Sequence, residues 1–588
     1  MHRPCIGNRP CVDSGAAPTL TIVVDTGTKT SVFRPKSLTA LRGYTPRQLG
    51  RDVSAGVIVG VIAVPLSIAV AVASGVAPQQ GLTTAIVAGV VVALFGGSRV
   101  QVSGPTGTFI VISYAIAAQY GYDGLALAII MAALMLIIMG IAGLGKVIQF
   151  IPYPIVVGFS SGIATVILIS QIGDLFGMSL TDAPPDTIER VVTYVREIGR
   201  IRPLDTILAA ITIAITAGWK QISRRVPGAL VAILAVTIPV AVFELPAVTI
   251  GSRFGALPRT LEWYGMPEVS LPLIQELAVP AFTIALLCAI ESLFTALVTD
   301  GMVGDRHESD TELIAEGGAN LLAALFGGIP TSGAIARTAT NAKNGGRTPI
   351  AAITGALFVF VILAALGPLA AFIPLAALAG VLSVVAWNMA EWRTLAALAR
   401  GPKSDMTVLV TTYALTVLID LAVAIQVGMV LAAFLFMRRM SIVSDVTVLT
   451  GPKDDAAGNG TDGDAADEDL STVEHRIPKD VEVYEIDGAL FFGVAEKFRN
   501  TMLLIERRPR VRIVRMRNVT AIDLTGLRLL EDLVNDSRHH GHHFILCGLK
   551  AQPERALRKS GLYDTIGDEN ITRTLWGALA RAEQLKQE

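Results

Sequence analysis

One short stretch deep in a hydrophobic region limits the folds open to this chain more than any other feature. Residues 324–337 read ALFGGIPTSGAIAR and combine Gly, Pro, Thr and Ser with the positive charge of Arg337. Backbone of this kind is tolerated at membrane depth only where it is buried in protein or lines a cavity. The opening ALFGG also occurs at 93–97, and Ser-Gly pairs follow the two copies at 103–104 and 332–333. Two matched interruptions, one in each half, indicate the binding site of a transporter.

Composition places the chain among membrane proteins. Of its 588 residues, 52% are hydrophobic and 16% charged, and the mean hydropathy of +0.58 is too high for a soluble protein. The net charge of −1 says nothing about nucleic acid, but no basic stripe with interleaved aromatic residues is present, so we expect no nucleic-acid partner. The four cysteines are scattered without a CxxC pair, so we expect no disulfide framework and no metal site. No nucleophile–base pattern suggests an enzyme, and we expect no cofactor.

The hydrophobic segments divide into two sets of seven. The set within residues 51–244 comprises 56–74, 81–95, a short helix at 105–119, 125–144, 154–173, 204–219 and 226–243. The set within residues 277–440 comprises 280–299, 311–326, the interrupted segment, 350–366, 372–388, 406–421 and 422–437. A second internal match, GxxxxFIPxxxxxG, begins at Gly145 and again at Gly367. Because each set holds an odd number of segments, we predict an α-helical membrane protein of fourteen segments as a seven-plus-seven inverted repeat with two half-helices.

Polar regions lie before and after these segments. Residues 1–50 are predicted to form a cytoplasmic N-terminal region. With this end inside, the inner loops hold thirteen Lys and Arg residues and the outer loops six, in agreement with the positive-inside rule. Residues 441–478 are predicted to be a flexible acidic linker, since 451–472 is rich in Asp, Gly and Ala and has no aromatic residue. Strands and helices alternate within 479–588, which indicates a small α/β domain.

The predicted inverted repeat brings the N-termini of the two half-helices together near the middle of the membrane. Facing helix N-termini offer unpaired N–H groups and partial positive charge, which together bind anions. Arg337 adds a full charge that must face a cavity or a partner. An alternative is that Arg337 pairs with a carboxylate and only stabilises the fold, and each hydroxyl alone is as well explained as a helix cap. The predicted substrate-binding residues are Ser103, Thr106, Thr108, Ser332, Gly333, Ala334, Ile335 and Arg337.

Several motifs resemble the sulfate permease (SulP) family of anion transporters. They are SGPTG at 103–107, ESLFT at 291–295, DGM at 300–302 and AIAR at 334–337, while VAWNM at 385–389 and LFMRR at 435–439 resemble most closely the bacterial C4-dicarboxylate branch. The resemblance implies core and gate domains, a homodimer, and a cytoplasmic STAS domain at the C-terminus. It also implies a bacterial inner-membrane location and an anionic substrate such as sulfate, bicarbonate or a dicarboxylate. Glu316 departs from the Gln expected in this family, and could add a proton site or simply face the inner vestibule.

Glu291 is the candidate for energy coupling, because an ionisable group inside a membrane span is costly and by default functional. Thr295 lies one turn further on the same helix face and could complete a small proton or cation site. In the resembled family an Asp here accompanies sodium coupling, whereas Glu accompanies proton-linked transport or exchange. We therefore predict proton-coupled symport. The alternatives are a Glu291 that stays ionised and pairs with the half-helix dipoles, a passive anion channel, an exchanger or a nucleobase carrier.

A regulatory site is also implied in the C-terminal domain. The sequence DLTG at 523–526 resembles the loop that is phosphorylated in anti-sigma-factor antagonists, with Thr525 at the acceptor position and Asp523 before it. The alternative is a plain cap between a strand and a helix, with Asp523 as the capping residue.

Overall fold

The computed structural model describes residues 33–587, with gaps at 42, 149–151, 179–183, 185, 223–226, 256–257, 399, 420, 444, 451–476, 479 and 504–508. Most of the predicted N-terminal region and most of the predicted linker therefore lie outside the described residues. The chain forms two compact units, residues 1–150 with 163–389, and residues 151–162 with 390–588. Both interrupted segments belong to the first unit.

The membrane region is helical, and its helices follow one another as the fourteen-segment repeat predicts when α4 is counted as two. Among the described helices, seven are long and apolar enough to cross a membrane, and three shorter ones are also apolar. The helices are α1 (Ser37–Ala40), α2 (Pro46–Ala73), α3 (Pro78–Phe95), α4 (Ile110–Ile141), α5 (Gly145–Ile148), α6 (Tyr153–Leu175), α7 (Thr187–Arg196), α8 (Pro203–Ile222), α9 (Gly228–Val242), α10 (Ile250–Phe254), α11 (Leu271–Val303), α12 (Ser309–Leu325), α13 (Ile335–Lys343), α14 (Pro349–Ala370), α15 (Leu375–Met389), α16 (Trp392–Leu398), α17 (Lys403–Leu418) and α18 (Leu421–Val443).

Each interruption consists of a short strand followed by a half-helix. Strand β1 (Ser103–Gly104) precedes a 3₁₀ turn at Gly107–Phe109 that leads into α4. Gly121, with φ 68° and ψ −171°, divides α4 into a half-helix and a following span, close to the predicted end near residue 119. Strand β2 (Ser332–Gly333) precedes the nine-residue α13. The two strands pair with each other in antiparallel fashion, as the two breaks of an inverted repeat should.

Helices of one repeat pack closely on helices of the other. A side chain at Gly56 of α2 would place its Cβ 2.3 Å from the Ala351 carbonyl oxygen of α14. At Gly317 of α12 the Cβ would lie 2.8 Å from the Ala133 carbonyl oxygen of α4. Only glycine permits backbones to approach this closely, which is the usual way for membrane helices to pack. The two repeats are therefore interleaved, and the two breaks meet as a result.

The C-terminal domain contains a five-stranded sheet in the order β3-β4-β5-β6-β7, in which only the β3–β4 pair is antiparallel. Its strands are β3 (Asp445–Thr450), β4 (Val481–Leu490), β5 (Val511–Ile522), β6 (His543–Cys547) and β7 (Ile571–Thr572). Its helices are α19 (Phe492–Leu503), α20 (Leu524–His539), α21 (Ala551–Ser560), α22 (Leu562–Ile566) and α23 (Leu575–Gln587).

Strand β3 corrects one predicted boundary. Residues 445–450 fall within the range 441–478 that the sequence assigns to a linker, yet they pair with Glu482–Asp487 along the edge of the sheet. Their alternating sequence, DVTVLT, suits an edge strand with one face on the sheet's core. The α/β domain therefore includes chain on both sides of the acidic segment.

The DLTG loop begins helix α20. Asp523 is its N-cap, and its Oδ1 accepts a hydrogen bond of 2.8 Å from the Gly526 amide. Thr525 lies in the first turn and is exposed to solvent. The capping role of Asp523 is thus present in the structure, and phosphorylation of Thr525 stays a prediction.

Candidate functional site

The paired strands β1 and β2 form the centre of the candidate site. Ser103 lies opposite Gly333 and Gly104 opposite Ser332. The pairing continues on one side, because the Ala334 amide donates to the Val102 carbonyl at 3.0 Å. Since each strand leads directly into a half-helix, this ladder holds the N-termini of the two half-helices beside each other. This is the arrangement in which two helix dipoles favour an anion.

Glu291 of α11 contacts the beginning of both half-helices. Its Oε2 accepts hydrogen bonds from the Ser332 hydroxyl at 2.6 Å and from the Thr106 hydroxyl at 2.9 Å. The two hydroxyl oxygens lie 3.3 Å apart, and the Thr108 hydroxyl is close enough to interact with the same carboxylate. Thr106, Thr108 and Ser332 are all buried. One carboxylate therefore bridges the two breaks through the hydroxyls that the sequence predicts for the substrate.

Arg337 is buried one turn into α13, with 2% of its surface exposed. Its Nη2 donates a hydrogen bond of 2.6 Å to the carbonyl of Pro105, the residue before Thr106. Within the described part of the chain it has no carboxylate within 4.0 Å, and its Nε has no hydrogen-bond partner. Glu291 and Glu316 are the carboxylates that act on it electrostatically. The guanidinium thus links the two half-helices while keeping a buried donor free, which differs from the alternative of a direct structural ion pair.

The missing side chain of Gly104 leaves room for the Arg337 guanidinium beside the ladder. A Cβ at this position would lie 2.6 Å from Nη1 and 3.2 Å from Nη2 of Arg337. Any larger residue must therefore displace the guanidinium, which is buried and bonded to Pro105. At Gly318 of α12, by contrast, the nearest heavy atom to an added Cβ is 3.9 Å away.

These two glycines provide a matched pair of substitutions. We expect Gly104→Ala to weaken anion affinity by about tenfold, since a displaced guanidinium loses one charge-assisted hydrogen bond to the anion. Gly318→Ala, which adds the same methyl group to an open space, should leave affinity unchanged. The measurement is the KM of uptake in proteoliposomes, with the melting temperature of each variant as a check on folding. Equal KM values for Gly104→Ala and the unmodified protein would contradict this placement of Arg337.

Several of the predicted site residues already use their hydrogen-bond donors within the protein. The Gly333 amide donates to Ser292 Oγ at 2.9 Å, and the Ala334 amide is used by Val102, so neither is free for a substrate. Ile335 begins α13, whose first-turn amides have no partner within the helix. Thr295 donates its hydrogen to the Gly333 carbonyl at 2.7 Å rather than to Glu291. The hydroxyl of Thr295 therefore supports the second break instead of completing a pair with Glu291.

Other polar residues hold the breaks in place: Glu316, for which the sequence suggests an added proton site, and Gln101 and Asn320, to which it assigns no role at the site. Gln101 donates to Glu316 at 3.3 Å, and the Ser103 hydroxyl donates to the same Glu316 Oε1 at 2.5 Å. The Asn320 side chain donates to the Thr331 carbonyl at 3.0 Å and accepts from the Thr331 amide at 3.0 Å. The signal available in the sequence was the spacing of Glu316 and Asn320, four residues apart in an apolar segment.

The chain is similar to known proteins over most of its length. The sulfate permease family matches residues 49–412, and the STAS domain matches residues 472–578. The putative sulfate transporter YvdB of Bacillus subtilis is 36% identical over 532 residues, covering 90% of this chain and 97% of the relative. The bicarbonate transporter BicA of Picosynechococcus is 28% identical over 557 residues, covering 92% of this chain and 94% of the relative.

Solved structures show the same fold. The transmembrane domain of a cyanobacterial BicA has a TM-score of 0.60 at 30% identity, covering 65% of this chain and 98% of that domain. The murine Slc26a9 anion transporter has a TM-score of 0.83 at 17% identity, covering 98% of this chain and all of that one. At that identity the second comparison concerns the fold alone.

Proposed function

The chain belongs to the sulfate permease family, and we propose that it is a secondary active transporter that carries a small anion together with protons by alternating access. Membership makes it a multi-pass membrane protein of an anion-transporter family with a C-terminal STAS domain. Proton coupling, the substrate and the residues involved are the proposed part. We also propose a homodimer in a bacterial inner membrane, with the N-terminus and the STAS domain in the cytoplasm.

The observation that supports proton coupling most directly is the position of Glu291. Its carboxylate accepts hydrogen bonds from Thr106 and Ser332, at the place where an anionic substrate would accept them. An ionised Glu291 therefore acts as an internal competitor for the substrate. Protonation removes its charge and weakens both bonds, because hydrogen bonds to a charged acceptor are about twice as strong as neutral ones. The two hydroxyls then become available to the anion.

The balance of buried charge favours the same scheme. Arg337 is one positive charge, while Glu291 and Glu316 supply two negative charges when both are ionised. An anion entering that environment is repelled unless a carboxyl group is neutral. Proton and anion should therefore bind with positive cooperativity, and by linkage each raises the affinity for the other to the same extent. This reciprocal dependence is what a symporter requires.

The donors at the site suit an oxyanion. Two hydroxyls, the first-turn amides of α13 and a guanidinium with a free Nε can each bond to an oxygen of a compact anion. Sulfate and bicarbonate are the substrates in the names of the relatives, YvdB and BicA. The C4-dicarboxylates suggested by the motifs at 385–389 and 435–439 belong to the same chemical class, so all three are proposed substrates.

Uptake by purified full-length protein in liposomes tests the function. We expect one of labelled sulfate, bicarbonate or succinate to accumulate above its external concentration when an inward proton gradient is imposed, and to remain at equilibrium without it. A sodium gradient at constant pH should give no accumulation. Liposomes without protein are the control.

Two results would contradict the proposal. Equilibration without accumulation under every gradient would favour a passive anion channel. Uptake that requires a second anion inside the liposome, whatever the pH gradient, would favour an exchanger.

A further inference from the structure

Glu316 is a second carboxyl group at the β1–β2 ladder, and it reaches the ladder from a different helix than Glu291 does. Glu291 lies on α11 and contacts Thr106 and Ser332. Glu316 lies on α12, and its Oε1 accepts from the Ser103 hydroxyl at 2.5 Å and from Gln101 Nε2 at 3.3 Å. Glu291 thus accepts from a hydroxyl of each break, whereas Glu316 accepts from residues at or beside the first break, and within the described residues the two carboxyl groups share no hydroxyl donor.

Glu316 is fully buried among few compensating charges. The ionisable groups that face it are Glu291 and the Cys288 thiol on α11, Glu312 one turn before it on α12, and Arg337 on α13. Glu291 and Glu316 therefore share one guanidinium, and Glu312 adds a third carboxyl group near Glu316. Burying an ionised carboxylate beside others of the same sign is costly, and such a group is normally paired or neutral.

Unpartnered oxygen atoms mark the place where a proton can bind. Glu316 Oε2 and Gln101 Oε1 are buried, and within the described residues neither has a hydrogen-bond partner. The side-chain amide of Gln101 is the group that contacts Glu316, and only 3% of the surface of Gln101 is exposed. A buried acceptor without a donor is rare enough to require an explanation. A proton on Glu316 Oε2 explains the unpartnered oxygen of that residue, because the proton neutralises the charge and leaves both hydrogen bonds at Oε1 intact.

Glu312 is equally buried, and its Oε1 also has no hydrogen-bond partner among the described residues, so it differs from Glu316 only in where its other oxygen bonds. Its Oε2 accepts from the Ser98 amide at 2.9 Å, and among the described residues no hydrogen bond joins it to the ladder. If the anion moves Ser103 when it binds, the hydrogen bond from Ser103 transmits that movement to Glu316, whereas Glu312 is not joined to the ladder in this way.

We propose that Glu316 is a second proton-binding site of the transport cycle, so that two protons accompany each anion. This inference rests on the proposed symport function. One proton binds Glu291 and one binds Glu316 Oε2 from the side on which the anion enters, and both leave to the opposite side with the anion. No covalent bond of the anion changes. For a dianion such as sulfate, the two protons make the transport step electrically neutral.

The number of protons is measured from the accumulation ratio. The probe is the labelled anion that gives the highest uptake in the liposome panel, with the membrane potential held at zero and an inward gradient of one pH unit. Each coupled proton contributes about a tenfold ratio under these conditions. We expect about 100-fold accumulation by the unmodified protein and about tenfold by Glu316→Gln. Asp310→Asn changes a carboxylate to an amide on the same helix, where Asp310 accepts from the Gly145 amide, and should retain the full ratio.

A second measurement does not require the variant to transport. In weakly buffered detergent solution, the unmodified protein should take up two protons for each anion bound, and Glu316→Gln should take up one. Tenfold accumulation by both proteins, or one proton bound by the unmodified protein, would overturn the second site while leaving proton symport in place. No accumulation by the unmodified protein would instead contradict the proposed function itself.

Discussion

Replacing Glu291 with Gln is expected to lower proton-driven anion accumulation at least tenfold while leaving anion counterflow intact. Glutamine keeps the size of the side chain, and its carbonyl oxygen can still accept from Thr106 and Ser332. It cannot bind and release a proton near neutral pH. The variant should therefore exchange labelled for unlabelled anion across the liposome membrane, yet fail to convert a pH gradient into the full anion gradient.

The size of the loss distinguishes one coupling group from two. With Glu316 as a second proton site, Glu291→Gln should still reach about a tenfold ratio per pH unit, and the double variant with Glu316→Gln about one. With Glu291 as the single carrier, Glu291→Gln alone should reach about one. Glu276→Gln is the matched control, because Glu276 is exposed on the same helix α11. A wild-type ratio in Glu291→Gln would show that this carboxyl group does not carry the coupled proton.

Much of the membrane fold can be predicted from the sequence because its signals are local. Apolar segments of membrane length, and the Gly-Pro-Thr-Ser interruptions at 103–107 and 327–333, identify the spans and the breaks. The repeated ALFGG-to-SG pattern also indicates that the two breaks are equivalent. Their antiparallel pairing follows from the inverted repeat, and the structure has that pairing at Ser103–Gly104 with Ser332–Gly333.

The partners of individual site residues could not be predicted in the same way. Ser103 and Glu316 are 213 residues apart, and Ser332 and Glu291 are 41 apart. Which hydroxyl meets which carboxylate depends on the rotation of α11 and α12 about their axes. Thr295 is an example. Helical spacing places it on the same face as Glu291, yet its hydroxyl donates to the Gly333 carbonyl. Side-chain direction is decided by packing, which a pattern of apolar residues does not specify.

The boundary of the STAS domain was wrong for a related reason. Residues 445–450 follow α18 directly and precede a long acidic segment, so composition assigns them to the linker. Their role depends on pairing with Glu482–Asp487, beyond residues 451–476 in sequence. A strand at the edge of a sheet is stabilised by its neighbour more than by its own sequence.

Replacing Arg337 with Gln is expected to raise the KM for the anion by roughly 10- to 100-fold, because a hydrogen bond to a charged group contributes about 1.5–3 kcal/mol. Arg337→Lys retains the charge but not the planar set of donors that can bond to Pro105 and to an anion at once. Its KM should therefore lie between those of the unmodified protein and Arg337→Gln. The measurements are the KM of uptake and the melting temperature of each purified variant.

A structural role for Arg337 makes a different prediction, and a neighbouring residue on α13 separates the two. Thr338 Oγ1 accepts from the Val102 amide at 3.1 Å and has no charge to offer an anion. Thr338→Val leaves that buried amide unpaired, at a cost of about 1–3 kcal/mol, so it should lower the melting temperature without changing KM. If Arg337 binds the anion, Arg337→Gln should show the reverse, a large change in KM with a smaller change in melting temperature. If both variants lower the melting temperature alike and leave KM unchanged, the guanidinium only joins the two half-helices through Pro105.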